Sequence, residues 1–439
     1  MRQTLSLLIG LLLCCTIQAK NRVIEKPPFC VRNTTSIEVS EIILSDTATV
    51  LHIYAKYRPK NWIRIASGSY LQDNNGETYL LRSGIGITPD KEFWMPESGE
   101  AEFRLVFPPL PAKVTAIDFT EGEGIDGAFS IWGIQLKSKE LPKLILPKEA
   151  VVHPADKEAT LPVPLIQYGN TTVKGKLLDY HPSMAKELSL YLYEPIKGYT
   201  EPMTVEVKQD GSFSTAFPIT GTTPAAFSLF GTNINFFVEP GKTSELYINL
   251  REISRKNSTF HKNKKPYGEP AYINGPMASL SEELNRNRIN TAIITDYQSL
   301  IEKAGDMDIT SYKSYILETA KGIQQEIDNA NLSAGAKQLL SFEKDLNIIE
   351  VLTQAPGLLT QAALQQKKLE RNEAEDYFRK IDQNMPKDYI PAELLKHLNT
   401  PQVTLVQPYT YAVIVSALTI GEKTDLTPEL KAMYSAAGV

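Results

Sequence analysis

Between residues 20 and 250 the chain repeats one pattern: a short run alternating apolar and polar side chains, followed by turn residues. Period-two alternation buries one face of each run and wets the other. This restricts the region to antiparallel sheets packed in layers. "IEVSEIILSDTATVLHIYAKYRP" supplies two such runs, with Asp46 and Thr47 where a turn belongs. "NWIRIASGSYLQDNNGETYLL" supplies two more around Asp73–Gly76, and its Asn-Asn-Gly suits the positive φ of a tight hairpin. "AEFRLVFPPLP" is a strand stopped by proline, and "SIWGIQL" closes the first set. The spacing predicts one β-sandwich over residues 20–136 and a second over 169–250. In the second, hairpins are expected at Asp210–Gly211 and at Pro240–Gly241.

Composition shifts mark the joints. Prolines at 142, 147, 154, 162 and 164 break helix and remove ladder donors, so residues 137–168 read as a semi-extended linker. "REISRKNSTFHKNKKPYGEP" is basic and poor in aliphatic residues, and residues 251–275 read as an exposed connector. Beyond that the apolar period becomes helical, over 276–439. "SLSEELNRNRINTAIITDYQSLIEKAG" opens on a serine cap and stops near Gly305. Tyr312, Tyr315, Ile316 and Ile323 share one face, and Ser333 caps a helix that ends before Pro356. Near the C-terminus, Thr427, Pro428 and Gly438 bracket a last helix. The fold class expected is two antiparallel β-sandwich-like domains followed by an α-helical domain.

The first residues carry an address. Arg2, the apolar "LSLLIGLLLCC" and Ala19 before Lys20 form a signal-peptide pattern over 1–19, predicting export to the periplasm or cell envelope. A lipid anchor on Cys14 or Cys15 is the weaker alternative, because Leu13 is a poor small residue for that cleavage signal. "QPYTYAVIVSALTIG" is apolar but too short to cross a bilayer, so no transmembrane span is expected. A formal net charge of −5 gives no argument for nucleic acid as a partner.

Chemistry is sparse. His52, His153, His181, His261 and His397 are scattered, without metal-ligand spacing, so no metal is expected. No nucleophile elbow, Walker loop or other cofactor motif occurs, and no catalytic residue or cofactor is assigned. "EGEGIDG" could converge Glu121, Glu123 and Asp126 on calcium, but it lacks the EF-hand spacing and reads as an exposed turn. Phe93, Trp94 and Met95 cluster before a proline. They are expected to plug the end of the first sandwich, with a sugar- or partner-binding platform as the alternative. Cys30 is the thiol left after signal cleavage, and no Cys-x-x-Cys occurs. Arg32 falls on its strand face without guaranteed contact, and no histidine is near in sequence, so a buried, unreactive thiol is expected.

The order of pieces resembles the N-terminal, non-catalytic region of the periplasmic thiol–disulfide oxidoreductases of the TlpA/ResA type found in Bacteroidetes. The likeness rests on "RNTTSIEVSEIILSDTATVLHIYAKYRPKNWIRIASGSYL", "GITPDKEFWMPESGEAEFRLVFPPLP" and "DFTEGEGIDGAFSIWGIQL" in the first part. In the second it rests on "VKGKLL", "VKQDGSFSTAFPI" and "FFVEPGKTSELYINL", and in the helical spacer on "GPMASLSEELNR". Members continue into a thioredoxin fold with Trp-Cys-x-x-Cys, which these 439 residues lack, and Cys30 does not match those cysteines. The resemblance implies an exported accessory region that recognises partners in a thiol–disulfide oxidoreductase system without being redox-active. The alternative is a free-standing envelope binding protein for glycans or another protein.

Overall fold

The computed structural model describes residues 21–122, 127–195, 198–199, 202–367, 370–386, 388–407 and 409. The signal-peptide pattern, Cys14, Cys15, Glu123, Asp126, all of "QPYTYAVIVSALTIG" but Gln407 and Tyr409, and the last helix expected lie outside them.

The first twelve strands are β1 (Arg22–Glu25), β2 (Val31–Arg32), β3 (Ile37–Leu44), β4 (Thr49–Lys56), β5 (Trp62–Ile63) and β6 (Tyr70–Asp73), then β7 (Thr78–Leu80), β8 (Ser83–Ile85), β9 (Phe93–Trp94), β10 (Glu100–Phe107), β11 (Ala116–Thr120) and β12 (Ser130–Gln135). They form two five-stranded antiparallel sheets, β1-β3-β4-β10-β8 and β2-β12-β11-β6-β7, and a separate β5-β9 ribbon. Ile37, Leu51, Ile53 and Leu105 of one sheet meet Leu71, Phe119 and Ile134 of the other in one buried core. Ser45 and Gly76 turn the chain where the sequence placed turns, and Gly76 takes φ +84°.

The next strands are β13 (Ile166–Leu178), β14 (Glu187–Glu194), β15 (Gly198–Tyr199), β16 (Met203–Glu206), β17 (Ser212–Gly221), β18 (Thr223–Leu229), β19 (Thr232–Val238) and β20 (Thr243–Asn249). After helix α1 (Leu250–Lys256) comes β21 (Ala271–Asn274). They build a sheet β17-β13-β20-β21 and a sheet β15-β14-β18-β19 in which β16 also pairs with β14. Both expected hairpins are corrected here. Across Asp210–Gly211, β16 pairs with β14 while β17 pairs with β13, and only Val207 and Phe213 bridge them. Across Pro240–Gly241, β19 pairs with β18 while β20 pairs with β13. Each turn therefore carries the chain from one sheet to the other, and this places Phe213 and Leu246 opposite Leu190 and Phe236 in one core. The β13–β20 pair is parallel, so this sheet is mixed and not wholly antiparallel.

The stretch read as an exposed basic connector is structured instead. Leu250 and Ile253 of α1 are core residues, Arg251, Glu252, Ser254 and Arg255 are buried with them, and β21 completes a sheet. The proline-rich linker is extended but not loose. Its carbonyls at Lys157 and Ala159 accept hydrogen bonds from Ala334 and Gly335, and Leu161 is buried among helices.

The helical region holds α2 (Ala278–Arg286), α3 (Tyr297–Ala304), α4 (Ile309–Asn329), α5 (Ala334–Thr353), α6 (Ala355–Lys367), α7 (Arg371–Gln383) and α8 (Ala392–His397). The single helix expected up to Gly305 is two. Met277, not serine, precedes α2 in a left-handed conformation, and Asp296 caps α3. Ser333 caps α5 as expected, its Oγ accepting from the Ala336 N–H. Tyr312 and Ile316 are buried, with Tyr315 and Ile323 packed at the edge. The chain is thus β-rich with a helical C-terminal region. Among the described residues no helix is long and apolar enough to cross a membrane.

Candidate functional site

Cys30 precedes β2, its N–H bonded to the Trp132 carbonyl at 2.9 Å. Its Sγ faces Gly133 so closely that a Cβ there would lie 2.6 Å away, and Gly133 also takes φ +68°. Arg32, the cation near in sequence, turns away to Glu38 at 3.2 Å. The cation that reaches the thiol is Arg251, 3.8 Å away and 221 residues along the chain. Arg251 is neutralised by Asp179 at 2.5 Å. Burial therefore dominates and pushes the Cys30 pKa up to about 11, outweighing the pull of Arg251. This is the opposite of what a nucleophilic thiol needs.

The aromatic cluster divides. Met95 is 3% exposed and Phe93 packs at the edge of the same core, its ring tilted against that of Phe103 with centroids 5.8 Å apart. Those two fill the plug role. Trp94 is 59% exposed and sits directly across the ribbon from Trp62, itself 44% exposed. Two of the chain's three tryptophans thus present their rings side by side to solvent. Period-two geometry explains the split, because Trp94 points opposite to its neighbours Phe93 and Met95. Sequence reasoning took Trp62 only as one residue of an alternating strand run. Beside Trp62 lies a groove of about 470 Å³ lined by Ser36, Tyr57, Asn61 and Arg64.

Glu121 is not an exposed loop ligand: it is buried, and its carboxylate accepts from the N–H groups of Ala66 and Phe129 at 3.1 and 2.9 Å. His52 lies near Glu41, His153 near Glu282 and His397 near Asp345, at 3.3, 3.2 and 2.8 Å. Among the described residues no three His, Cys, Asp or Glu converge as a metal would require.

One constellation was not legible in sequence. Asp118, His181 and Ser183 meet beside a cavity of about 1060 Å³ between the first and second β regions. His181 Nδ1 lies 2.7 Å from Ser183 Oγ and accepts the Ser183 N–H at 3.2 Å, while Nε2 faces Asp118 at 3.8 Å. The ring stacks on Trp132, whose indole N–H donates to Ser183 Oγ at 3.0 Å. The Trp132 and Asp118 contacts clasp the two regions together, while the His181–Ser183 bonds and the Met184 N–H on the His181 carbonyl hold the turn within the second.

No protein-family model and no curated protein matches the chain. Among solved structures it is similar to a pullulanase from Anoxybacillus sp. LM18-11 complexed with maltotriose, at 13% identity over 43% of this chain and 24% of that one, with a TM-score of 0.17. It is also similar to the Bacillus anthracis TIE protein, at 8% identity over 53% of this chain and 40% of that one, with a TM-score of 0.13. The chain thus spans less than half of either protein, and likenesses this weak carry no argument about fold or function.

Proposed function

We propose that the chain is an exported, non-catalytic recognition protein built from two β-sandwich modules and a helical module. It serves as the accessory, partner-recognising region of a thiol–disulfide oxidoreductase system. The observation that carries the recognition role is the exposed Trp62–Trp94 pair, since large rings left in water at one spot mark interaction surfaces. The state of Cys30 supports a non-redox role: its pKa is about 11. The expected result with dithiothreitol and insulin is no acceleration of reduction over buffer, and clear turnover would overturn the reading. Replacing Trp62 and Trp94 together by alanine is expected to leave the melting temperature within about 2 °C of the parent, as exposed positions do. A large loss of stability would make the pair structural.

The groove beside Trp62 favours a second reading, a free-standing envelope protein that binds glycans. Flat aromatic faces next to hydroxyl, amide and guanidinium groups suit sugar rings. A glycan array separates the two: binding that disappears with Trp62→Ala and Trp94→Ala supports the second reading, and a blank array removes it.

A further inference from the structure

A second cleft, distant in sequence from the tryptophan pair, opens where β19 meets α2 and α5. It measures about 450 Å³, a size that accommodates a small ligand. Leu284 and Leu340 form apolar walls, and Asn290 and Gln407 add amides. Among the described residues, two charged side chains line it without a counter-charge. Arg288 at the mouth donates to the Thr232 hydroxyl at 3.3 Å and the Asn233 carbonyl at 3.0 Å, and among the described residues it has no carboxylate partner. Glu343, half-buried on α5, has a hydrogen bond with the Thr291 side chain and, among the described residues, no cation. Lys256 of α1 lies close enough to Arg288 for their charges to repel, and it donates to the Asn285 and Arg286 carbonyls at 3.2 and 2.8 Å, while next to Glu343 along α5 the charges are paired. Lys344 is 2.9 Å from Asp345, and Asp345 is 2.8 Å from His397 of α8. From the β19 side the cleft receives asparagines, and from residues 401–407 it receives apolar groups and Gln407.

An unneutralised guanidinium and an unneutralised carboxyl facing one junctional cleft are complementary to a molecule with both charges. We propose that this cleft binds a small zwitterion, a free amino acid or short peptide, with the ligand's carboxylate on Arg288 and its ammonium on Glu343. Guanidinium suits carboxylate through paired N–H donors, and the ammonium supplies the counter-charge that Glu343 lacks. Burial pushes the Glu343 pKa up to about 7, so near neutrality the empty site holds a proton on this carboxyl about half the time. Binding an ammonium there must expel that proton. The proposal is independent of the tryptophan surface and of the oxidoreductase reading.

The test is titration calorimetry on the full chain with triglycine, an equimolar mixture of the free amino acids, and N-acetyl-triglycine amide, which carries neither terminal charge. The expected result is that triglycine or the amino-acid mixture binds and the blocked peptide does not; which of the first two binds separates the peptide from the free amino acid. Affinity should be about tenfold weaker at pH 6 than at pH 8 for a ligand whose ammonium stays charged, and about fivefold weaker for triglycine, whose α-amino group is about half deprotonated at pH 8; a little under half a proton should be released per site at pH 7 in buffers of differing ionisation enthalpy. Glu343→Gln should abolish the proton release, and Arg288→Gln should weaken binding at least tenfold. Both variants are to be checked by circular dichroism, and the parent protein alone carries the pH measurement if either unfolds. No binding of either charged probe at millimolar concentration, equal binding of the blocked peptide, or pH-independent affinity would each overturn the proposal.

Discussion

Cys30 illustrates how a thiol can sit beside arginine and still be unreactive. The charge of Arg251 is already spent on Asp179, so the surroundings of the sulfur act mainly by excluding water. A shift from 9.0 to about 11 leaves roughly a hundredfold less thiolate at pH 8. Alkylation by iodoacetamide should therefore be at least that much slower in the native protein than in urea, and equal rates would refute the assignment. His261 makes a second prediction. Burial, with Lys264, Arg32 and Lys26 nearby, pushes its pKa down from 6.5 to about 4. The unfolded chain then binds more protons than the folded one between those values. Stability from this residue is complete above pH 6.5 and is lost as pH falls toward 4, by at most about 3 kcal/mol. Glu343 runs the other way. Its raised pKa favours the folded state below about 4.5, and that advantage is lost as pH rises through about 7. Urea unfolding of His261→Gln against the parent isolates the first effect: the variant should lose its extra slope between pH 6.5 and 4, and parallel curves would show that His261 is not held neutral.

Helix α1 is where sequence and structure part most instructively. Its charges looked like those of a solvated connector because composition cannot reveal that they satisfy one another. Arg255 pairs with Glu252 at 2.6 Å, and Glu252 also accepts the Tyr267 N–H at 2.9 Å. Ser254 Oγ accepts the Arg32 N–H at 3.1 Å, the Asn257 carbonyl accepts from the Arg32 guanidinium at 2.6 Å, and Ser258 binds Glu38. Arg32→Met leaves Glu38 buried without its cation and should cost about 3–5 kcal/mol in urea unfolding, a loss that adding Glu38→Leu should recover only in part, because Ser258 and Thr259 then lose their acceptor. A cost under about 1 kcal/mol would mean that water reaches the pair. Other elements were readable. The turn after Leu44, the Asn-Asn-Gly hairpin and the Ser333 cap each rest on local chemistry, which a single stretch of sequence contains. Alternation in β16–β17 and β19–β20 told which side chains turn inward but not which strand lies alongside, since a turn that changes sheets uses the same residues as one that does not. Likewise the apolar count around Trp94 was visible, while its partner Trp62 emerged only from the β5–β9 pairing.

At the scale of the whole molecule, several contacts tie the regions together. Trp132 stacks on His181, Arg32 reaches α1, and the linker carbonyls at Lys157 and Ala159 bond to the start of α5. Calorimetry should show the two β regions melting in one transition, with Trp132 fluorescence changing at the same temperature; well-separated transitions would mean that these contacts add little. The clasp offers a milder probe: His181→Ala removes the stacking on Trp132 and the approach to Asp118, and should loosen the junction without unfolding either sheet pair. The placement of α1 also imposes an order in time. Glu38 receives Ser258 from 220 residues later in the chain. At roughly 5–20 residues per second, a ribosome needs about 10–45 s to deliver that partner after Glu38 is made. Wherever the chain folds, the first β region meets this partner only after those 220 residues have followed, so how long part of its surface stays uncovered is set by the position of one short helix.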